Sequence, residues 1–182
     1  SKKAAKGGTV WVDDVSVLPV TEEHLQPANL ITNGDFDAFT NNWTDLPEAS
    51  HLAADAEVKQ LKGSASLRVD LKGLDKAFVM QWLKGIMPNT TYRLDGYVRT
   101  KDVEGNVFLT VMAENSTRMN KAWMSTEKVT GTSDWRKLSL QIKTAEDTDT
   151  LAVRFEYRPA KEGVAASAGT AWVDNITLTK IE

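Results

Sequence analysis

From residue 65 onward, apolar and polar residues alternate along most of the chain. Ala65–Leu71 sets Leu67, Val69 and Leu71 against Ser66, Arg68 and Asp70. Tyr92–Thr100 sets Tyr92, Leu94, Gly96 and Val98 against Arg93, Asp95, Tyr97 and Arg99. Asn106–Glu114 sets Val107, Leu109 and Val111 against Phe108, Thr110 and Met112. Trp135–Lys143 turns Leu138, Leu140 and Ile142 inward. Leu151–Arg158 sets Leu151, Val153, Phe155 and Tyr157 against Ala152, Arg154, Glu156 and Arg158. Phe78–Ile86 is a mostly apolar run that stops at Met87-Pro88-Asn89, and Trp172–Thr179 closes the series. A period of two places one face of each strand in a core and the other outside. Turn-forming stretches separate these runs, at Lys62-Gly63-Ser64, Glu104-Gly105-Asn106 and Gly131-Thr132-Ser133. No amphipathic helix of ten residues is evident. Many short strands, polar turns and no helices predict an all-β fold, a β-sandwich or jelly roll of two antiparallel sheets.

One strand pattern occurs twice. Gly8–Leu18 reads GTVWVDDVSVL, and Gly169–Leu178 reads GTAWVDNITL. Their spacing is about one domain length, which indicates tandem modules rather than a solenoid. Residues 1–20 are therefore expected to be the last strand of a preceding similar module. Residues 21–28, with Pro27, read as a linker, and 29–182 as one complete module. A lone strand leaves its backbone groups unpaired, so residues 9–18 are expected to add to a sheet edge. A strand-exchanged dimer is one way to do so.

Composition narrows the function. The chain has 182 residues and a formal net charge of −3. That balance argues against nucleic acid as a partner, because phosphate binding needs clustered excess Lys and Arg. No apolar run approaches the length that spans a bilayer. There is no Cys, and the two His, His24 and His51, lie far apart in polar surroundings. None of the GxSxG, HExxH, P-loop or GxGxxG motifs occurs. Carboxylates are abundant, but nothing singles out a catalytic pair. The chain is read as a non-enzyme. Six Trp are the compositional oddity, since Trp offers both buried area and a flat π-face.

The opening Asn29-Leu30-Ile31, with Asn33-Gly34-Asp35-Phe36-Asp37 and Trp43, resembles the first segment of carbohydrate-binding modules of the family 4/9/16/22 type. The likeness continues in order through Gly63–Val69, Gln81 with Pro88–Leu94, Asp134–Leu138 and Trp172–Leu178. In feel it is closest to family 16. Two positions depart from the pattern. Asp37 stands where Glu is usual, and Asn89 where Gly is common.

The resemblance implies a β-sandwich with one structural Ca²⁺ and non-catalytic binding of a polysaccharide or oligosaccharide. It implies secretion or cell-surface display by a bacterium, beside neighbouring modules and an attached carbohydrate-active enzyme. Asp37 and Asp174, with Asp35 nearby, are the implied metal ligands. Ca²⁺ takes six to eight oxygens, so backbone carbonyls would have to help. Trp43 and Trp123 are the implied sugar platforms. Gln81 is the implied partner of sugar hydroxyls, since an amide both donates and accepts. Trp135 and Trp172 fit framework positions, and Trp82 is ambiguous. If the Tyr92 and Leu151 strands were neighbours, Arg93, Asp95, Tyr97, Arg99, Arg154, Glu156 and Arg158 would line one polar groove. Its Arg side chains leave room for a uronate, whereas Asp95 and Glu156 would suit a neutral glycan. The competing reading is a structural or adhesive β-sandwich spacer.

Overall fold

The structure, a computed structural model, describes residues 28–181 except 61, 62, 116, 118 and 119. The expected remnant strand and linker, with its edge pairing and strand exchange, lie outside the described residues. Eight strands follow a short 3-10 turn at Ala49–His51: β1 (Leu52–Asp55), β2 (Ser66–Asp70), β3 (Ala77–Lys84), β4 (Thr91–Glu114), β5 (Asn120–Ser125), β6 (Val129–Lys143), β7 (Thr150–Arg158) and β8 (Thr170–Lys180). Every pairing is antiparallel. The all-β expectation holds.

The long strand β4 organises the fold. Its first part pairs with β8 on one side and β6 on the other, with Leu94 opposite Leu178 and Leu140. Its second part pairs with β7 and β5, with Met112 opposite Ala152 and Trp123. One layer is thus β1-β2-β8-β4-β6 and the other β3-β7-β4-β5, joined through β4. The sequence reading split this strand in two at Glu104-Gly105-Asn106. The chain instead kinks there without leaving the sheet. Asp102 and Gly105 take left-handed φ of 52° and 122°, and the β4–β6 register shifts alongside. A Cβ on Gly105 would lie 2.3 Å from the Arg158 carbonyl oxygen, so only glycine lets β7 end this close to the bend.

The two layers pack face to face around one core. Leu67, Val69, Leu94, Val98, Leu109, Val111, Val153, Phe155, Ile176 and Leu178 are all fully buried. These are the inward phases of the alternating runs. Each such side chain contributes roughly 1.5–3 kcal/mol by burial. The layers approach closely at Gly96, where a Cβ would meet Leu109 Cδ1 at 2.7 Å.

The N-terminal segment closes the sandwich. Leu30 N donates to Leu178 O, and Asn29 Oδ1 accepts from Leu178 N. The loop after it is shaped by Asn33. Its Nδ2 donates to the Phe39 and Asn41 carbonyls, and its Oδ1 accepts from Ala38 N. Those bonds hold a run of left-handed residues that includes Phe36, Phe39 and Asn42.

Candidate functional site

Each layer has an outer face built from the outward phases of its strands. Along β3-β7-β4-β5 the register aligns Trp82, Ala152, Met112 and Trp123 in one row across the layer. Trp82 and Trp123 are 39% and 52% exposed, while Ala152 and Met112 are buried beneath them. With Met80 they form a small apolar cluster separate from the main core. Two exposed indoles therefore stand three strand steps apart, roughly 14 Å, over an apolar floor. A cleft of about 650 Å³ opens beside Trp82, lined by Lys84, Gly85, Glu114, Asn115, Asp149 and Thr150. A second, of about 320 Å³, lies on its other flank, against Leu30, Thr32 and Asn42.

Two residue steps along β7, Arg154 lies between aromatic rings. Its Cζ sits 5.0 Å from the Phe78 ring centre and 5.3 Å from that of Trp123. Its Nη2 is 3.8 Å from Glu156 Oε2 and 3.0 Å from Met112 Sδ. Arg154 Nε is buried with no partner. Glu156 is enclosed, with a side chain 1% exposed, and also takes Arg158 Nε at 2.6 Å and Thr110 Oγ1 at 3.3 Å. The guanidinium thus lies against a Trp123 indole that is 52% exposed.

Other expected site residues lie elsewhere. Trp43 is 4% exposed, stacked on Phe36 at 5.1 Å, and its Nε1 donates to the Asn33 carbonyl. It is a core residue with no free face, against the expectation of a platform. Its polar sequence neighbours misled because the Asn33-held loop folds the indole inward. Gln81 faces the core, and its amide pairs at 2.9 Å with both Thr32 N and Thr32 O. It clamps the N-terminal segment to β3 and is 5% exposed at the border of the smaller cleft. Arg93, Asp95, Tyr97 and Arg99 lie in the first part of β4, on the outer face of the other layer. They and the Arg154–Glu156 pair face opposite sides of the sandwich, so the single polar groove across both strands does not form. The sequence reading passed over Phe78, Phe108 and Met112 as site residues. The readable signal was an aromatic or Met on the outward phase of a strand.

A third cluster sits where the N-terminal loop meets β8. Asp37 Oδ1 accepts from Ser64 N at 2.6 Å and from Ser64 Oγ at 2.7 Å, which hold its carboxyl below the ordinary range. Asp174, 1% exposed, accepts from Gln60 N and Asn175 N. Burial pushes its pKa up, and the charges of Asp35 and Asp37 push it further. Gln60 Oε1 is buried without a partner. Among the described residues no three His, Cys, Asp or Glu side chains form a metal-binding group. The donors at hand are all oxygens: two carboxylates, a third acidic charge nearby and an orphaned amide carbonyl beside Asp174. That chemistry fits a hard cation such as Ca²⁺ rather than a transition metal.

The chain is thus a two-layer antiparallel sandwich with one aromatic, partly open outer face. The family model described as a carbohydrate binding domain (CBM_4_9) matches residues 28–162, and the chain belongs to that family. Among solved structures, a family 16 carbohydrate-binding module is similar at TM-score 0.63 and 23% identity, over 85% of this chain and 100% of that one. The CBM22-2 xylan-binding domain of Paenibacillus barcinonensis Xyn10C is similar at TM-score 0.58 and 13% identity, over 81% of this chain and 98% of that one. The enzymatically active domain of bacteriophage CBA120 tailspike protein 4 gives TM-score 0.64 and 12% identity, over 84% of this chain. The chain spans 21% of that tailspike domain. At these identities the likeness is one of fold. No curated protein matches the chain.

Proposed function

We propose that this module binds a glycan chain without cleaving it, on the outer face of β3-β7-β4-β5, with Trp82 and Trp123 as its stacking platforms. The observation that carries this reading is the exposure of both indoles in one register row above the buried Ala152 and Met112. Exposed Trp is costly in water and offers a flat apolar face that suits the C–H side of a pyranose. Trp123 was expected in this role from the sequence. Trp82 takes the place expected for Trp43.

A Ca²⁺ held by Asp37 and Asp174, with Gln60 Oε1 and neighbouring carbonyls, would tie the N-terminal loop to β8. Asp35 adds negative charge there. This ion is structural, because its ligands belong to the loop–β8 junction and none of them to the Trp row. The module is extracellular and appended to a carbohydrate-active enzyme, beside similar modules. Membership of a carbohydrate-binding family supports this context.

Affinity electrophoresis against xylan, β-glucan, glucomannan, alginate and pectin tests the binding face. Retardation by a polysaccharide that disappears in Trp82→Ala and Trp123→Ala, with unchanged unfolding midpoints, is the expected result. Unaltered retardation in both variants would overturn the assignment of the face. No retardation in any gel would favour the spacer reading.

A further inference from the structure

We infer that the glycan bound on this face carries carboxylates, and that its uronate groups are received by Arg158 and, on the far side of Glu156, by Lys128, at the end of the face away from Trp82. This rests on the binding face assigned above. The register places Phe78, Glu156 and Phe108 side by side across β3, β7 and β4. Three cations gather over those rings. Arg154 and Arg158 both approach Phe78, with Cζ at 5.0 and 4.9 Å from its centre. Lys128 Nζ is 5.7 Å from the centre of Phe108.

The charges do not cancel. Glu156 is the carboxylate the two arginines share, and it is enclosed between them. The adjacent Glu127 is engaged by Arg136 at 2.8 Å. Lys128 has no ion-pair partner among the described residues. Arg158 uses Nε on Glu156, and its side chain is 42% exposed. Its two Nη groups face no acceptor among the described residues, and they form the fork that matches a carboxylate. The excess positive charge is local, since the whole chain carries −3. At the other end of the face, Lys84 sits with Glu114 and Asp149 around the larger cleft, which is mixed in sign.

The geometry gives a path. Ala152, Arg154, Glu156 and Arg158 follow one another on the outward phase of β7. From the Trp row to Arg158 is six residue steps, roughly 20 Å of extended strand. A chain seated between Trp82 and Trp123 and running along β7 brings a later sugar to Arg158. Trp82 and Trp123 supply the stacking faces, and the cations over Phe78 and Phe108 supply the carboxylate contacts.

The test is affinity electrophoresis of the whole chain in polygalacturonate, alginate, neutral xylan, β-glucan and carrageenan, at low and at raised salt. Retardation by a uronate polymer that weakens as salt rises is expected. The double variant Arg158→Gln, Lys128→Gln should weaken it about tenfold, the size of one charge-assisted contact. Lys101→Gln, an equal type of charge loss on the other layer, should leave it unchanged. Trp82→Ala should weaken uronate binding too. Retardation only by neutral polymers, insensitive to salt and to the double variant but lost in Trp82→Ala, would overturn the carboxylate inference and leave the binding face standing. Binding to the sulfated carrageenan but to neither uronate would overturn it as well. Binding indifferent to Trp82→Ala and Trp123→Ala would overturn the face itself.

Discussion

The two outer faces of the sandwich use the same residue types to opposite ends. On the β8-β4-β6 face, Asp95 takes Arg93 at 3.1 Å, Lys137 at 3.3 Å and the Ser139 hydroxyl. Arg99 lies 3.8 Å from Asp134 and 5.8 Å from the ring centre of Trp172. The Trp172 indole is buried, and its N–H donates to Asp55 Oδ2 at 2.8 Å. Arg, carboxylate and Trp there satisfy one another. On the β3-β7-β4-β5 face, two indoles project with open sides, and cations outnumber the enclosed Glu156. Arg beside Trp is therefore not a signature of binding. What marks the second face is that its pairings leave something unspent.

The largest expected effects separate aromatic residues that look alike in sequence. Trp43→Ala removes a buried, stacked, hydrogen-bonded indole and should cost about 3–5 kcal/mol of stability. Trp82→Ala and Trp123→Ala remove exposed rings and should shift stability by no more than about 0.5 kcal/mol while abolishing retardation in a polysaccharide gel. Urea unfolding beside affinity electrophoresis measures both. A Trp82→Ala protein that lost as much stability as Trp43→Ala would erase the distinction between core and platform.

The next effect compares carboxylates. Glu156→Gln leaves the 12% exposed Arg154 and the 42% exposed Arg158 around a neutral amide, and with one partner reached by water the loss should be about 2 kcal/mol. Asp95→Asn, on a face reached by water, should cost less than about 1 kcal/mol. Equal losses in chemical unfolding would mean that Glu156 is as solvated as Asp95.

The junction cluster belongs to neither face, and Ca²⁺ should act on stability alone. At one hundred times its dissociation constant the ion should add about 2.7 kcal/mol, and EDTA should remove that increment. Gel retardation by a neutral polysaccharide should stay unchanged. Retardation that vanished with EDTA while the unfolding midpoint held would place the ion at the glycan instead.

The layers were readable because each alternating run puts its apolar phase into the core, as Leu67 and Val69 or Val153 and Phe155 do. The crossing of β4 from one layer to the other was not readable. It depends on the left-handed Asp102 and Gly105 and on β7 ending against them, which are long-range facts. The short β1 and β5 carried too little alternation to stand out. For the proposed binding face, the sequence expectation and the proposal coincide at Trp123, a Trp in a polar stretch. Trp82 was not, because it sits in an apolar run whose outward phase only the register with Ala152 reveals. Trp43 and Gln81 failed for one reason: a loop and a backbone segment consume their polar groups, and local sequence does not show a partner that arrives from elsewhere.

The smallest expected effect sharpens the same contrast through pH. Burial by itself would raise the pKa of Asp95, but hydrogen bonds from Ser139, Arg93 and Lys137 outweigh it and hold the carboxyl below its ordinary value. A carboxyl depressed in the folded state binds fewer protons there than in the unfolded chain. Its contribution is thus fully present above the ordinary aspartate pKa and is lost as pH falls through the folded value. Asp95→Asn should lower the neutral side of the stability–pH profile by less than about 1 kcal/mol, flatten the acid limb and meet the parent at low pH, where Asp95 is protonated in both states. Because Asp95 lies on the paired face, the same variant should bind polysaccharide as the parent does at neutral pH. An acid limb that kept its full slope in Asp95→Asn would show that the Arg93–Asp95–Lys137 ladder is ornament on the surface rather than a contributor to the fold.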